Sequence, residues 1–420
     1  MTLGRLFSTA GALLAFQGAG AALGVVSVLV LTALLGAEAF GVYAWALSMA
    51  GLLGLGLQAG LPMTILKTFA PLELQSRPMP RALFKILVGY AAVIVGLLIV
   101  AAAFSSGAQP GRPDAWVVAA AAVAMAFGKL ADAVLRSASM PRRAVFSEQV
   151  LRVALLLCFI LVVFGATLSA KTALAAYAVS ALLAGAVFLV PSLARKGPRD
   201  TSRMAPNGAH FQVALSRGIG NHLPIFISGF FLAPDVLAYL AIALRLTGPI
   251  GYGVVAARAA LGSLIAEAVK AKDLVRAKQL HSRGAAMSVG VACAAAIVIN
   301  AGLYVLQTQF SELVLSDFDD AKLLAVLFLV ATLFRLALSL PGPAQMTLVL
   351  LDDEAAVKRL NLVLLAALAA ALCLGALAPS PLLQAAIVFG YGAILSAALI
   401  RRLFYCFSAP ALVAAAGAGS

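Results

Sequence analysis

Charge is scarce in this chain. Only 11% of its 420 residues are Asp, Glu, Lys or Arg, against 63% that are hydrophobic. A soluble domain carries roughly a quarter charged residues, so this balance excludes a water-soluble globular fold. Histidine is nearly absent and its three copies lie far apart in sequence: His210 and His281 are expected in inner loops, and His222 follows Asn221 in the seventh span. The four cysteines, Cys158, Cys293, Cys373 and Cys406, are scattered through apolar runs. Their spacing offers neither a metal site nor a disulfide framework, and they read as small buried hydrophobes. No GxxxxGK[ST], HExxH or GxSxG pattern occurs, so no P-loop nucleotide site, zincin or nucleophile elbow is expected. No catalytic residue, cofactor or metal is assigned. The N-terminus does not read as a cleaved signal peptide, because its apolar run is too long and lacks a small-residue cleavage site.

What the chain has is long apolar runs, with a mean hydropathy of +1.05. Runs able to cross roughly 30 Å of hydrocarbon fall at about 8–34, 40–66, 82–104, 113–137, 146–166 and 171–191. Six more fall at about 211–232, 236–266, 284–307, 321–350, 359–378 and 381–404. The polar stretch near the middle, 192–210, reads as a linker. The expectation is an all-α polytopic membrane protein of about 12 transmembrane helices in two parallel six-helix repeats. Its lobes would be 1–191 and 211–420, joined by a cytoplasmic linker at 192–210.

The formal net charge of +14 would suggest nucleic acid in a soluble protein, but its distribution gives another reason. With the N-terminus inside, 24 of the 30 Lys and Arg fall in inner loops or at inner helix ends. Arg112, Lys171 and Lys322 fall outside, while Arg245, Arg258 and Arg335 fall within helices. This is the positive-inside pattern, so both termini are expected in the cytoplasm and no nucleic acid is expected as a partner.

An internal repeat joins the two halves. Asp235–Gly262 aligns with Glu38–Ile65 at a shift of 197 positions, acid falling on acid. Ala44, Ala46 and Leu47 fall on Ala241, Ala243 and Leu244, and Gly51, Gly54 and Gly56 on Gly248, Gly251 and Gly253. Packed membrane helices favour glycine regardless of ancestry, but the shared acid and Ala-x-Ala-Leu at one offset favour duplication. The copies differ where it matters: Ser48 and Leu61 in the first are Arg245 and Arg258 in the second.

These arginines are the chemistry the sequence offers. Arg245 lies about ten residues into its span, roughly 15 Å down at 1.5 Å per residue. Arg335 is similarly central, and Arg258 nearer the cytoplasmic end. An arginine at the bilayer centre costs roughly 2.5–3.5 kcal/mol on the insertion scale, so it should face a bundle interior or a watery cavity. No intramembrane acid stands nearby in sequence to neutralise Arg245 or Arg335, which points to an anionic ligand. The bland alternative is an arginine that snorkels or bonds backbone carbonyls, and it fits Arg258 well. Gly248, Pro249, Gly251 and Gly253, with Pro62 in the first copy, form a candidate hinge around this site. Pro341, Gly342 and Pro343 break the chain again past Arg335. In a straight helix Arg245 and Arg258 would point about 140° apart, which weakens a shared site unless the helix distorts.

Other charges have plainer readings. Lys129, Asp132 and Arg136 share a helix face and are expected to pair with one another, with proton coupling at Asp132 as the sharper alternative. Glu312, Asp317, Asp319 and Asp320 read as a solvated outer loop, and Asp352, Asp353 and Glu354 as acids at a helix N-terminus.

Leu35–Ala46 reads LGAEAFGVYAWA, and Gly56–Gly60 reads GLQAG. This pattern resembles the polysaccharide biosynthesis proteins of the MOP exporter superfamily, the O-antigen-type flippases, whose second helix ends in a basic residue, here Lys67. Matching is confined mainly to helices 1, 2 and 8. The resemblance implies two six-helix lobes whose helices 1, 2, 7 and 8 line a central cleft. It implies flipping of a polyprenyl-pyrophosphate-linked oligosaccharide from the inner to the outer leaflet by alternating access. Its carry-over places the anionic head group against Arg245 and Arg258 on the cleft-lining helix, with Asn221, His222 and Gln58 as polar neighbours; Arg335, on helix 10, would join them only where the C-lobe interior opens to the cleft. Helix 7 lacks the acid that some relatives have, which leaves ion coupling open.

The implied setting is the bacterial inner membrane, with the bilayer and a lipid-linked oligosaccharide as partners and a polysaccharide polymerase or glycosyltransferase as a possible associate. One rival is a multidrug (MATE-like) antiporter of the same fold, which would be expected to carry intramembrane acids where this chain has arginines. Another is a non-transporting scaffold of a polysaccharide assembly complex, in which charge at Arg245 would not matter.

Overall fold

The computed structural model describes residues 3–62, 64–65, 114–137, 140–164, 168–193, 221–309, 320–351 and 353–417. Every regular element among them is helical. Nine of the described helices are long and apolar enough to cross a membrane. The span expected at 82–104, the linker from 194 onward and the first ten residues of the span at 211–232 lie outside the described residues.

Helix α1 (Leu3–Gln58) carries the first two expected spans in one run of 56 residues. The loop expected between them is a single bend at Gly36, whose φ of 73° and ψ of 172° are open to glycine and costly for other residues. Ala59 and Gly60 then turn the chain with φ of 46° and 74°. Helix α2 (Ala115–Ser137) follows, and α3 opens with proline at its first position, where the missing amide costs nothing. Helix α3 alternates ordinary and wide turns without a break: Pro141–Val145, a π-helical turn at Phe146–Leu151, Arg152–Cys158, and a second π-helical turn at Phe159–Phe164. Helix α4 spans Ala170–Leu193.

A short helix at 221–228 leads into α5 (Pro234–Leu246). Proline and glycine then force a 3-10 turn at Gly248–Gly251 before α6 (Tyr252–Lys270). Helix α7 (Leu274–Gln309) begins ten residues earlier than the apolar run, because its first turns are basic and amphipathic. Helices α8 (Ala321–Ser339) and α9 (Ala344–Leu350) are parted by Pro341, Gly342 and Pro343. Gly342 has φ of 55°, and a Cβ there would sit 2.6 Å from Ala285 Cα. Helices α10 (Glu354–Leu374) and α11 (Pro381–Gly417) complete the chain.

The chain forms two compact units, Ala15–Ala241 and Ile242–Ser420, the latter together with Met1–Leu14. In the first unit α2 packs along α4, with Gly185 against the Phe127 ring. Ser147 donates to the Ala184 carbonyl at 2.5 Å, tying α3 to α4. Trp45 stacks on Phe226, their centroids 6.3 Å apart, and its Nε1 donates to the Phe226 carbonyl at 3.1 Å. In the second unit α6 lies along α7 and α8 along α11. Gly253 allows the first contact, since a Cβ there would meet Ser288 O at 2.5 Å, and Ser396 donates to Ala337 O at 2.6 Å across the second.

Three expectations need correction. Lys129 pairs with Glu148 on α3, leaving Asp132 to take both hydrogen bonds from Arg136 Nε at 2.9 Å. Cys158, Cys293 and Cys373 are exposed and Cys406 half-buried, because an apolar side chain facing lipid carries no burial requirement. His281 sits buried within α7, its Nδ1 3.0 Å from Thr347 Oγ1, and not in a loop.

Candidate functional site

The arginine site belongs to the second unit. Arg245 is half-buried near the end of α5, and Arg258 is half-buried in α6 with its Nε inside the protein. Arg335 projects from α8 and donates from Nη2 to the Leu244 carbonyl at 3.2 Å, immediately before Arg245. Its guanidinium also lies 5.3 Å from the Phe334 ring centre.

The backbone explains this placement. Helix α5 ends at Leu246, so its last carbonyls lose their usual amide partners. Pro249 has no N–H to offer the Arg245 carbonyl. The Ala243 carbonyl keeps the Thr247 amide at 3.2 Å and adds Thr247 Oγ1 at 2.7 Å, while that of Leu244 is covered by Arg335 at 3.2 Å, with Thr247 Oγ1 farther off at 3.4 Å. A cation at a helix C-terminus also meets the negative end of the helix dipole. Arg335 and the neighbourhood of Arg245 are therefore brought together by the proline break.

The candidate hinge residues divide. Gly248, Pro249 and Gly251 form the 3-10 turn. A Cβ on Gly248 or Gly251 would meet no described atom within 4 Å, so close packing does not explain them. Gly253 is a packing glycine against α7, and Pro62 lies in the helical stretch after the turn at Ala59 and Gly60.

Gln58 and His222 fall in the first unit, where they line one cavity of about 80 Å³. Gly51 makes room for His222, because a Cβ there would lie 2.4 Å from the imidazole Cε1. Asn221, next to His222, is exposed. The cavity also takes in Lys129, Ser147, Glu148 and Arg152, which sequence position alone does not bring together. The available signal is Glu148 and Arg152, four apart and the only charged residues between Arg143 and Lys171. Arg152 Nη1 donates to Tyr177 Oη at 2.9 Å, and its guanidinium stands 5.4 Å from the ring centre.

At the expected outer end, Lys171 pairs with Asp114 at 2.5 Å and Trp116 Nε1 donates to the same carboxylate at 3.1 Å. The hydrogen bond from Lys171 holds the Asp114 carboxyl below its ordinary range. Among the described residues no group of three His, Cys, Asp or Glu is placed to hold a metal ion.

Most of the chain is similar in fold to solved transporters of one architecture. An outward-facing multidrug resistance MATE family transporter of the MOP superfamily matches with a TM-score of 0.57 at 14% identity, covering 95% of each chain. The fold is that of the MOP superfamily. Lipid II flippase MurJ in its inward closed conformation matches with a TM-score of 0.56 at 11% identity, over 94% of this chain and 88% of that one. A MOP superfamily transporter from Pyrococcus furiosus, for which reverse polarity of the binding pocket suggests a different function, gives 0.54 at 14% identity over 96% and 95%. No family model matches the chain, and no curated protein sequence does. This chain is thus a multi-pass membrane protein with the MOP fold.

Proposed function

We propose that this chain is a transporter that flips a polyprenyl-pyrophosphate-linked oligosaccharide from the inner to the outer leaflet of a bacterial cytoplasmic membrane. The supporting observation is Arg335, held in a membrane-spanning helix against the Leu244 carbonyl beside Arg245. From Val236 to Ala266 the sequence holds no acid, and none lies between Ala321 and Leu351. Guanidinium groups suit the oxygens of a pyrophosphate, which they can grip at two points. In this reading two six-helix lobes alternate access, the Gly248–Gly251 turn is the hinge, and the polyprenyl tail stays in lipid. A polymerase or glycosyltransferase would then work alongside.

A second reading, a MATE-like drug antiporter, draws on the equal likeness to the MATE transporter structures. The two separate in proteoliposomes loaded with a fluorescent polyprenyl-pyrophosphate glycan. The flippase reading expects wild-type translocation that collapses in folded Arg245→Ala and weakens in Arg335→Ala. Drug–cation exchange without glycan movement supports the antiporter, and neither activity in folded protein supports a scaffold.

A further inference from the structure

One end of the second unit gathers cations that no carboxylate answers. The starts of α7 and α10 meet the end of α11 there. Arg402 of α11 grips Asp353 just ahead of α10, and Phe407 of α11 lies 6.2 Å, ring centre to ring centre, from His281 of α7. Arg276, Lys278 and Arg283 on α7, Lys358 and Arg359 on α10, and Arg401 on α11 are all exposed. None of the six pairs with a carboxylate among the described residues. Two acids at this end are already engaged: Asp353 is held by Arg402, and Asp273 accepts the Arg276 amide at 2.9 Å as a helix cap. Over 267–283, 352–359 and 401–402 the sequence carries nine Lys and Arg against five Asp and Glu.

Helix geometry sets these cations at head-group depth. The first ten residues of α7, Leu274–Arg283, precede the apolar run that opens at 284. With Arg283 at the hydrocarbon edge, Lys278 and Arg276 lie about 7.5 and 10.5 Å farther out. The head-group layer is about 5–8 Å deep on each side, so the three span it. Their helix face is the outer one, because Ala277, His281 and Gly284 are buried. Lys358 and Arg359 stand at the opening of the run at 359–378, and Arg401 near the close of that at 381–404.

The next turn of α10 is bare to the membrane. Leu362 and Val363, four residues past Lys358 and Arg359, are 63% and 60% exposed. Residues four apart share a helix face. A cation one turn above an exposed apolar side chain matches a phospholipid, whose phosphate sits directly above its acyl chains. Phe404 and Tyr405, exposed beside Arg401, mark the same level, since aromatic side chains concentrate at membrane interfaces.

We propose that this end of the second unit docks anionic phospholipid of the leaflet it faces. The lipid phosphates lie against Lys278 and Arg283 of α7, Lys358 and Arg359 of α10, and Arg401 of α11, and acyl chains run down Leu362 and Val363. Charge selects the lipid, because cations clustered beside a membrane span each strengthen its hold on anionic head groups roughly fivefold. The depth of Lys358 and Arg359, with exposed hydrocarbon beneath them, suits a lipid better than a soluble acidic protein. None of these residues belongs to the arginine site on α5, α6 and α8, so the proposal does not depend on the flipping reading.

Native mass spectrometry of the full chain in neutral detergent tests it, with phosphatidylglycerol and phosphatidylcholine as probes. Wild type should hold phosphatidylglycerol at least about tenfold more tightly than phosphatidylcholine. Lys358→Gln with Arg359→Gln should weaken phosphatidylglycerol by more than about tenfold, as should Lys278→Gln with Arg283→Gln, and phosphatidylcholine should not change. Leu362→Asn with Val363→Asn keeps every charge and should weaken both lipids. Gln279→Ala, on the same exposed turns of α7, should change neither. The Gln variants remove no described ion pair, so their thermal midpoints in lipid-free detergent should equal that of wild type. Added phosphatidylglycerol should then raise the wild-type midpoint and raise theirs less. Phosphatidylglycerol held at Arg245 or Arg335 would survive in both Gln variants, and if that class accounts for all the binding the proposal fails. Glycerol phosphate, the head group without its chains, should not displace the lipid at equal concentration; displacement assigns a soluble anion and overturns the lipid. Binding of soluble polyglutamate in place of phosphatidylglycerol assigns an acidic protein and overturns it likewise. Equal retention of the two phospholipids by wild type also overturns it.

Discussion

Gly41 and Pro234 touch backbone to backbone: a Cβ on Gly41 would lie 1.7 Å from the Pro234 carbonyl oxygen. Gly41 belongs to the first repeat copy, and Pro234 directly precedes the second. Neither α1 nor the start of α5 can yield locally, since the obstacle is main chain. Gly41→Ala is therefore expected to lower stability by at least ~2 kcal/mol, despite alanine's better helix propensity. Gly56→Ala, fifteen residues on in the same helix and facing no described atom within 4 Å, should be neutral or stabilising by ~0.5–1 kcal/mol. Thermal midpoints of the two purified variants in detergent would check the pair, and equal midpoints would refute it.

The Gly41 contact shows what the sequence makes legible and what it hides. Apolar run length places most of the described spans within about five residues, because hydrocarbon thickness dictates helix length, whereas α7 starts ten residues early and α11 runs on to Gly417. The motif residues Phe40, Gly41 and Tyr43 mark packing positions, Phe40 and Tyr43 being almost wholly buried. Pro249 announced a helix break, and the structure has one at Gly248–Gly251. What stayed hidden is partner choice across helices. Lys129 had Asp132 on its own face, yet Glu148, nineteen residues away, takes it through the α2–α3 packing. His281 reads as loop because basic residues surround it, yet α7 starts at Leu274 and sets the imidazole against Thr347 of α9. The cysteines misled for a different reason: in lipid, exposure does not distinguish an apolar side chain from a buried one.

His222 and Gly51 should behave as a coupled pair. The imidazole occupies the space a Cβ on Gly51 would need, with ring atoms 2.4–2.6 Å away. A ring can rotate where a carbonyl cannot, so Gly51→Ala should cost less than Gly41→Ala, ~1–2 kcal/mol. Removing the ring removes the conflict. Gly51→Ala in a His222→Ala background should cost ~1 kcal/mol less than alone, read from thermal midpoints of the four proteins. Strict additivity would show that the two do not meet in solution.

The junction before α10 carries a pH-dependent clamp. Arg402 donates from Nε to Asp353 Oδ2 at 2.5 Å and from Nη2 to Oδ1 at 2.8 Å, a two-point grip from α11. The acid expected to serve the helix N-terminus makes no side-chain cap bond and spends its carboxylate on this grip. Hydrogen bonding from Arg402 holds the Asp353 carboxyl below its ordinary range. A depressed carboxyl adds stability above its unfolded value, near pH 4, and that share is lost as pH falls through the folded value. The Arg402 side chain is 41% exposed, so solvent limits the contribution to ~0.5–1 kcal/mol. Arg402→Gln should lower the thermal midpoint at pH 7, and its deficit should shrink as pH drops below 4. A deficit constant across that range would place the effect in packing.

The last prediction concerns why an arginine sits at membrane depth at all. If Arg335 is held there by the carbonyl that the proline break exposes, restoring the break should loosen the dependence. Pro249→Ala returns an amide N–H and lets α5 run on into α6, so that Gly248 N–H can serve the Leu244 carbonyl now bound by Arg335 at 3.2 Å. Arg335→Ala in the native background should cost ~1–2 kcal/mol, because it leaves the buried Leu244 carbonyl only the long 3.4 Å hydrogen bond from Thr247 Oγ1. In the Pro249→Ala background the same substitution should cost ~1 kcal/mol less, a coupling that a thermal double-mutant cycle resolves. Flipping then separates structure from ligand binding. If Arg335 serves only the helix end, Pro249→Ala should restore transport to Arg335→Ala as it restores stability. If the guanidinium also holds an anionic head group, stability returns while transport stays low. That second outcome would make the proline break the device that presents a cation to the substrate.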